Sequence, residues 1–187
     1  KTIPITAMVD AFLDIVPDAN PIRRGNVMAR SRMIVLYDQS AAFNGLVVGT
    51  GNKTEVLFGY TTLYGDAACA FNPVGDLYKT QVRQLARAVG VPEVIIAKAP
   101  SADLWVGQTD EEELGFTYEE ADKLLYMLIE EQLPIQSCVE AGFDRSLVEA
   151  VVNQIRRSQF KRVMPPIAKI SKRTVGIEFI EPPNWKI

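Results

Sequence analysis

The sequence has no histidine. That absence excludes the Ser-His-Asp and Cys-His nucleophile systems, the zinc deaminases and the HExxH metalloproteases. Any catalysis must run on carboxylates, lysine, arginine, hydroxyls and a hard cation such as Mg²⁺. Cysteine is nearly absent too: Cys69 and Cys138 cannot build a disulfide framework or a four-cysteine zinc site, and a reducing compartment is the expected setting. No run approaches the roughly 18 uninterrupted apolar residues of a spanning helix, and no basic, apolar leader opens the chain. Charge of one sign is lacking as well. Lys plus Arg number 20 against 23 Asp plus Glu, and a net charge of -3 gives no global field toward nucleic acid or an anionic membrane. The expectation is a soluble cytoplasmic protein with no nucleic-acid or membrane partner.

What is present is one ordinary domain. With 187 residues, 48% of them apolar, the chain can bury a sizeable core. Residues 2–5 read as the end of a strand entering a short amphipathic helix, punctuated by Pro17 and Pro21. From Ile22 to about Asn44, Val27, Met33, Leu36, Tyr37 and Ala41 recur at helical spacing. Leu46-Val47-Val48, bounded by Gly45 and Gly49, has the form of a short strand buried on both faces of a parallel sheet. A helix starts at Asn52, and residues 59–75 form a loop long enough to suggest function. Asp76 is the expected cap of a helix running to about Val89. Residues 97–114 read as irregular, Thr117-x-x-Glu120 as a capping box opening a helix to about Glu131, and 144–159 as a further helix. A proline-punctuated tail follows, with a strand expected at 174–180. Charge is segregated: Lys123 is the lone base between residues 110 and 140, whereas 156–187 is basic. Solvated helix faces account for both, and the basic end could also meet nucleotide phosphates.

Strand, glycine turn and helix succeed one another in Val47-Val48-Gly49-Thr50-Gly51-Asn52-Lys53-Thr54-Glu55. This order places free N–H groups beyond a strand's carboxyl end, where open α/β sheets bind ligands. Glu55 is either the acid of a capping box with Asn52 or a Mg²⁺ ligand. Lys79, three residues after Asp76, lies in a first helical turn, where the macrodipole disfavours a cation unless an anion binds there. Tyr64-Gly65-Asp66 and Pro100-Ser101-Ala102-Asp103 are compatible with plain turn chemistry. Arg30 reads as a solvated charge or an anion partner, Cys69 as core filler, and Lys161 and Arg162 as cations favoured at a helix end.

Taken together, Gly25-Asn26-Val27-Met28-Ala29-Arg30-Ser31-Arg32-Met33, Val48-Gly49-Thr50-Gly51-Asn52-Lys53-Thr54-Glu55, Tyr64-Gly65-Asp66, Pro73-Val74-Gly75-Asp76-Leu77-Tyr78-Lys79-Thr80-Gln81 and Pro100-Ser101-Ala102-Asp103-Leu104-Trp105 closely resemble ammonia-dependent NAD⁺ synthetases. The resemblance is strongest over 20–125 and weaker in the tail at 160–187, and one domain spans 1–187. It implies an α/β fold: a Rossmann-like parallel sheet flanked by helices, of the adenine nucleotide alpha hydrolase type. It also implies a reaction in which ATP with Mg²⁺ adenylates the carboxylate of deamido-NAD⁺ and ammonia then displaces AMP. By resemblance, Thr50, Lys79 and Ser101 would contact ATP, Glu55 would ligate Mg²⁺, and Asp66 would hold and deprotonate ammonia. Arg30 and Lys161 would contact deamido-NAD⁺, and the protein would be a homodimer.

Three positions depart from many members: Leu63 in place of Lys, Ala70 in place of Asp, and Phe160 in place of His before Lys161. They read as subfamily differences on the deamido-NAD⁺ side. A pyrophosphate loop of Ser-Gly-Gly-x-Asp-Ser type is absent from the 187 residues. The chain is therefore expected to be N-terminally truncated and, as it stands, incompetent in turnover. Two alternatives stay open: a non-catalytic nucleotide-binding or dimerisation module, and another ATP-pyrophosphatase ligase acting on a different acid.

Overall fold

Helices dominate the computed structural model, which describes residues 1–105 and 107–177. Helix α1 (Thr6–Ile15) lies against α2 (Pro21–Phe43). Val9, Leu13 and Ala19 meet Val27 and Met28 in a small apolar cluster. Asn20 starts α2 because its side chain accepts from the Arg23 N–H at 2.9 Å and Pro21 has no N–H to leave unpaired. Residues 2–5 form no strand.

The apolar run after α2 pairs with residues 70–71. Ala70 N–H donates to Val47 O at 2.9 Å, Gly49 N–H donates to Phe71 O at 2.8 Å, and Val48 and Phe71 form a parallel bridge. This is a single bridge and no wider sheet is formed among the described residues. Val47 is buried, but Leu46 and Val48 are 72% and 52% exposed, so the expected burial on both faces is corrected to one. Gly49 is required where the two segments meet: a Cβ there would lie 2.5 Å from Cys69 Sγ.

Beyond the turn come α3 (Lys53–Phe58), α4 (Lys79–Ala88), the short α5 (Glu93–Ile96), α6 (Asp110–Leu114) and α7 (Tyr118–Leu125). A π turn over Tyr126–Glu130 extends α7, and α8 (Ile135–Glu140) and α9 (Arg145–Arg157) follow. The segment expected to be irregular over 97–114 thus ends in a helix, capped by the Thr109 side chain. Of the strand expected at 174–180, residues 174–177 are described and form a turn with an isolated bridge residue at Val175 rather than a strand, and 178–180 lie outside the described residues.

The main core joins α3, α7, α8 and α9. Phe58, Leu124, Leu125, Cys138, Val148 and Val151 are fully buried there, each large aliphatic or aromatic side chain contributing about 1.5–3 kcal/mol by burial. Cys138 is thus packing, while Cys69 is half-buried.

Candidate active site

One cleft of about 1090 Å³ gathers most of the residues singled out in the sequence. Thr50, Glu55, Asp66, Lys79, Ser101 and Lys161 all line it. Arg30 does not. Its Nε donates to the Leu63 carbonyl at 3.2 Å on the exposed side of α2, while Ala29 next to it reaches the cleft.

The α3 end of the cleft is built by its cap. Asn52 accepts from the Glu55 N–H at 3.0 Å, and Glu55 Oε2 accepts from the Asn52 N–H at 3.0 Å. The capping box is therefore real, and it leaves Glu55 Oε1 facing the cleft, where Lys79 Nζ donates to it at 2.8 Å. The two readings of Glu55 are compatible, because each uses a different oxygen.

Lys79 is the first residue of α4, and Tyr78 is its cap. The expected cap, Asp76, instead holds Lys53 Nζ at 3.0 Å. The Gln81 side chain fixes Tyr78 by accepting from its N–H at 2.9 Å. Behind them, the buried Asp122 of α7 accepts from the Thr80 N–H at 2.8 Å and from the Thr54 hydroxyl at 2.5 Å, and Thr54 Oγ1 in turn accepts from the Lys79 N–H at 3.0 Å. A carboxylate at this helix N-terminus satisfies orphan donors and complements the dipole. Asp122 and Thr54 thus fix the backbone from which Lys79 reaches into the cleft. Its ammonium lies 5.3 Å from the Tyr118 ring centroid, a cation–π distance.

On the opposite wall, Asp66 Oδ1 accepts from the Thr62 N–H at 2.7 Å. Asp66 is exposed at the mouth, yet crowding by the cleft walls pushes its carboxyl above the usual carboxylate range. The Thr62 N–H and the Lys161 charge oppose that shift, and the Glu55 charge adds to it. Lys161 Nζ donates to the carbonyls of Gly59 and Thr61, both at 2.6 Å, and its burial lowers its pKa against the pull of Asp66. Gly59 has φ +63° and faces Ser158, where a Cβ would come within 2.4 Å, so only glycine fits beneath this lysine. Ser101 Oγ accepts from the Asp103 N–H at 3.0 Å, holding its loop in a hydroxyl-closed turn.

The cleft also holds groups that the sequence reading passed over. Tyr60, Gln108, Asp110 and Glu113 line it. Tyr60 donates to Glu113 Oε2 at 2.7 Å, Gln108 Nε2 donates to Glu113 Oε1 at 2.9 Å, and Tyr118 donates to Asp110 Oδ2 at 3.0 Å. Burial pushes both phenols up and raises the Asp110 carboxyl, whose ionised form Tyr118, Tyr60 and Lys79 favour in turn. Their one sequence signal is the i, i+3 spacing of Asp110 and Glu113, and the run of neighbouring acids hides it.

The profile described as NAD synthase matches residues 1–165. The chain belongs to the NAD synthase family. An NH(3)-dependent NAD(+) synthetase from Trichlorobacter lovleyi is 56% identical over 185 residues, covering 99% of this chain and 68% of that protein. One from Chlorobium phaeobacteroides is 55% identical over 186 residues, covering all of this chain and 67% of its own. The chain thus spans about two thirds of the length of these relatives. Among solved structures, an NMN synthetase from Francisella tularensis superposes with TM-score 0.77 at 35% identity, over 90% of this chain and 66% of that one. The NH3-dependent NAD synthetase of Campylobacter jejuni gives 0.71, also at 35% identity, over 89% and 64%. The chain shares the fold of these synthetases.

Proposed function

We propose that the cleft binds ATP and deamido-NAD⁺ and serves the ATP-dependent amidation of deamido-NAD⁺ by ammonia, giving NAD⁺, AMP and pyrophosphate. The observation that carries this reading is the convergence of Thr50, Glu55, Asp66, Lys79, Ser101 and Lys161, from well-separated segments, on one cleft. The flanking sheet of the full Rossmann-like fold belongs to the same proposal.

A carboxylate is a poor electrophile until its oxygen is made a leaving group. The nicotinate oxygen attacks the α-phosphorus of ATP, the bond to pyrophosphate breaks, and an acyl adenylate forms. Lys79, aimed from a fixed helix N-terminus, meets the phosphate charge, with Ser101 and Thr50 beside it. Ammonia then attacks the acyl carbon, AMP leaves, and Asp66 takes a proton. A carboxylate held above its usual range is a stronger base than an ordinary aspartate and suits this task. Lys161 and Arg30 serve the dinucleotide side. Lys161 meets it in the cleft, and Arg30 from α2, whose exposed Ile34, Tyr37 and Phe43 suit a homodimer contact.

Magnesium fits this site as a shared ion. No group of three or more His, Cys, Asp or Glu among the described residues forms a cage. Mg²⁺ held largely by phosphates and water needs only one or two carboxylates, and Glu55 Oε1 meets that need once Lys79 has left it. When bound, the ion neutralises phosphate charge.

The test is product formation from ATP, Mg²⁺ and ammonium by the complete enzyme, with deamido-NAD⁺ or nicotinic acid mononucleotide as acid. The second acid is included because the Francisella neighbour is an NMN synthetase. NAD⁺ formed with at least about tenfold preference in kcat/KM supports the reading. AMP formed only with the mononucleotide would overturn it.

A further inference from the structure

Lys79 and Glu55 neutralise each other in an ion pair at 2.8 Å, with both side chains partly buried. ATP with Mg²⁺ needs both groups and so must part them. A partly buried ammonium released from its carboxylate requires another acceptor or it turns to solvent. The wall beneath it holds one. Asp110 is 4% exposed and lines the cleft, and its Oδ2 is committed to the hydroxyl of Tyr118, itself 1% exposed. Its Oδ1 is buried with no hydrogen-bond partner. The neighbouring Tyr60 hydroxyl lies close enough to favour the ionised carboxyl, but it has one proton and donates it to Glu113 at 2.7 Å. An uncommitted buried carboxylate oxygen in a native fold calls for an explanation. The Lys79 ammonium stands over the ring of the same Tyr118, and its charge acts on Asp110.

We propose that Asp110 is a positioning residue for Lys79: when Glu55 is taken by a cation, the ammonium passes across the Tyr118 face to Asp110 Oδ1 and stays aimed into the cleft. The purpose of this transfer rests on the ATP reading, but the transfer itself does not require nucleotide. The charge of Asp110 keeps the lysine from following solvent, and the ring supplies a path on which the cation is never without an electrostatic partner.

The test uses this chain without ligand and reads the rate at which an amine-reactive acylating reagent labels Lys79, by peptide mass mapping. Glu55→Gln stands in for occupation of Glu55, since it removes the charge that holds the lysine. Labelling in Glu55→Gln is expected within about twofold of the parent chain, because Asp110 receives the ammonium. In Glu55→Gln/Asp110→Asn it is expected to rise about tenfold, the size of a coupling between neighbouring charges. Asp110→Asn alone stays near the parent rate. Glu55→Gln/Tyr118→Phe separates positioning from loosening, because it removes the hydrogen bond that anchors Asp110 while keeping both its carboxylate and the aromatic ring. It should label well below the Asp110→Asn double variant. Equal labelling in these two double variants, or full release of Lys79 in Glu55→Gln alone, would overturn the proposal. Failure of the ATP reading shows separately, as a parent chain that binds no Mg·ATP whatever the labelling pattern.

Discussion

The two interiors of this molecule are built by opposite means. Around Phe58, Leu124, Val148 and Val151 the buried side chains are apolar, and position is set by shape. Around Thr54, Asp122, Lys79 and Asp110, a few ångströms of buried polar contacts set position by donor and acceptor count. An apolar core can re-pack with other apolar side chains of similar volume, because the hydrophobic term is non-directional. A polar one must keep each donor matched to its acceptor, since each unpaired group costs about 1–3 kcal/mol. The chemistry is mounted on the second kind and the first kind holds it up.

This contrast breaks most clearly on truncation of the apolar core. Leu124→Ala should lower stability by about 4 kcal/mol through lost burial and the cavity left behind, visible in the denaturation midpoint. Mg·ATP affinity measured well below the melting temperature should stay within about twofold. In the complete enzyme, Lys79→Ala should do the reverse, costing about 3 kcal/mol of transition-state stabilisation in kcat. Its KM for deamido-NAD⁺ and its thermal stability should change little. Equal losses in kcat and in deamido-NAD⁺ affinity would contradict its phosphate role.

Asp122→Asn should fall between the two, because it removes a charge from a buried helix cap. A loss of about 1–2 kcal/mol in stability should come with weaker Mg·ATP binding, since Lys79 is mounted on that cap. A stability loss with unchanged affinity would separate cap from site.

The smallest effect is in pH. Burial raises the Asp110 carboxyl above its ordinary 3.8, so the folded state holds this proton more tightly than the unfolded state. Its ionisation therefore costs stability as pH rises from 3.8 through the folded value, and the cost is absent below 3.8. Asp110→Asn removes the cost. The difference in melting temperature, variant minus parent, should move in the variant's favour between pH 3.5 and about 7. A difference that is flat or moves the other way would show that the Tyr118, Tyr60 and Lys79 contacts outweigh burial.

The sequence revealed the helices whose apolar spacing or caps are local: the start of α3 at Asn52, the Thr117 box, and the start of α9 at 144, whereas it passed over Asn20 as the cap of α2. It misplaced the start of α4, because Asp76 has good capping chemistry on paper while Lys53, 23 residues away, claims its carboxylate. Of the residues that the sequence singled out, Thr50, Glu55, Asp66, Lys79 and Ser101 from the blocks and Lys161 from the tail line one cleft, and Arg30 from the first block does not. Asp110 and Asp122 were hidden for a single reason. Each belongs to an acidic stretch that reads as a solvated face, and its burial depends on partners the local pattern does not show: Thr54 and Thr80 for Asp122, Tyr118 for Asp110. Parallel pairing of residues 47–49 with 70–71 was equally invisible, since only the fold brings residue 71 beside 48.

Calorimetric titration of ATP into the chain, with and without Mg²⁺, tests most directly whether this polar wall is the nucleotide site. The account predicts Mg²⁺-dependent binding that weakens at least about tenfold in Lys79→Ala and in Glu55→Gln, and survives Leu124→Ala. Affinity indifferent to Mg²⁺ and to both substitutions would contradict it.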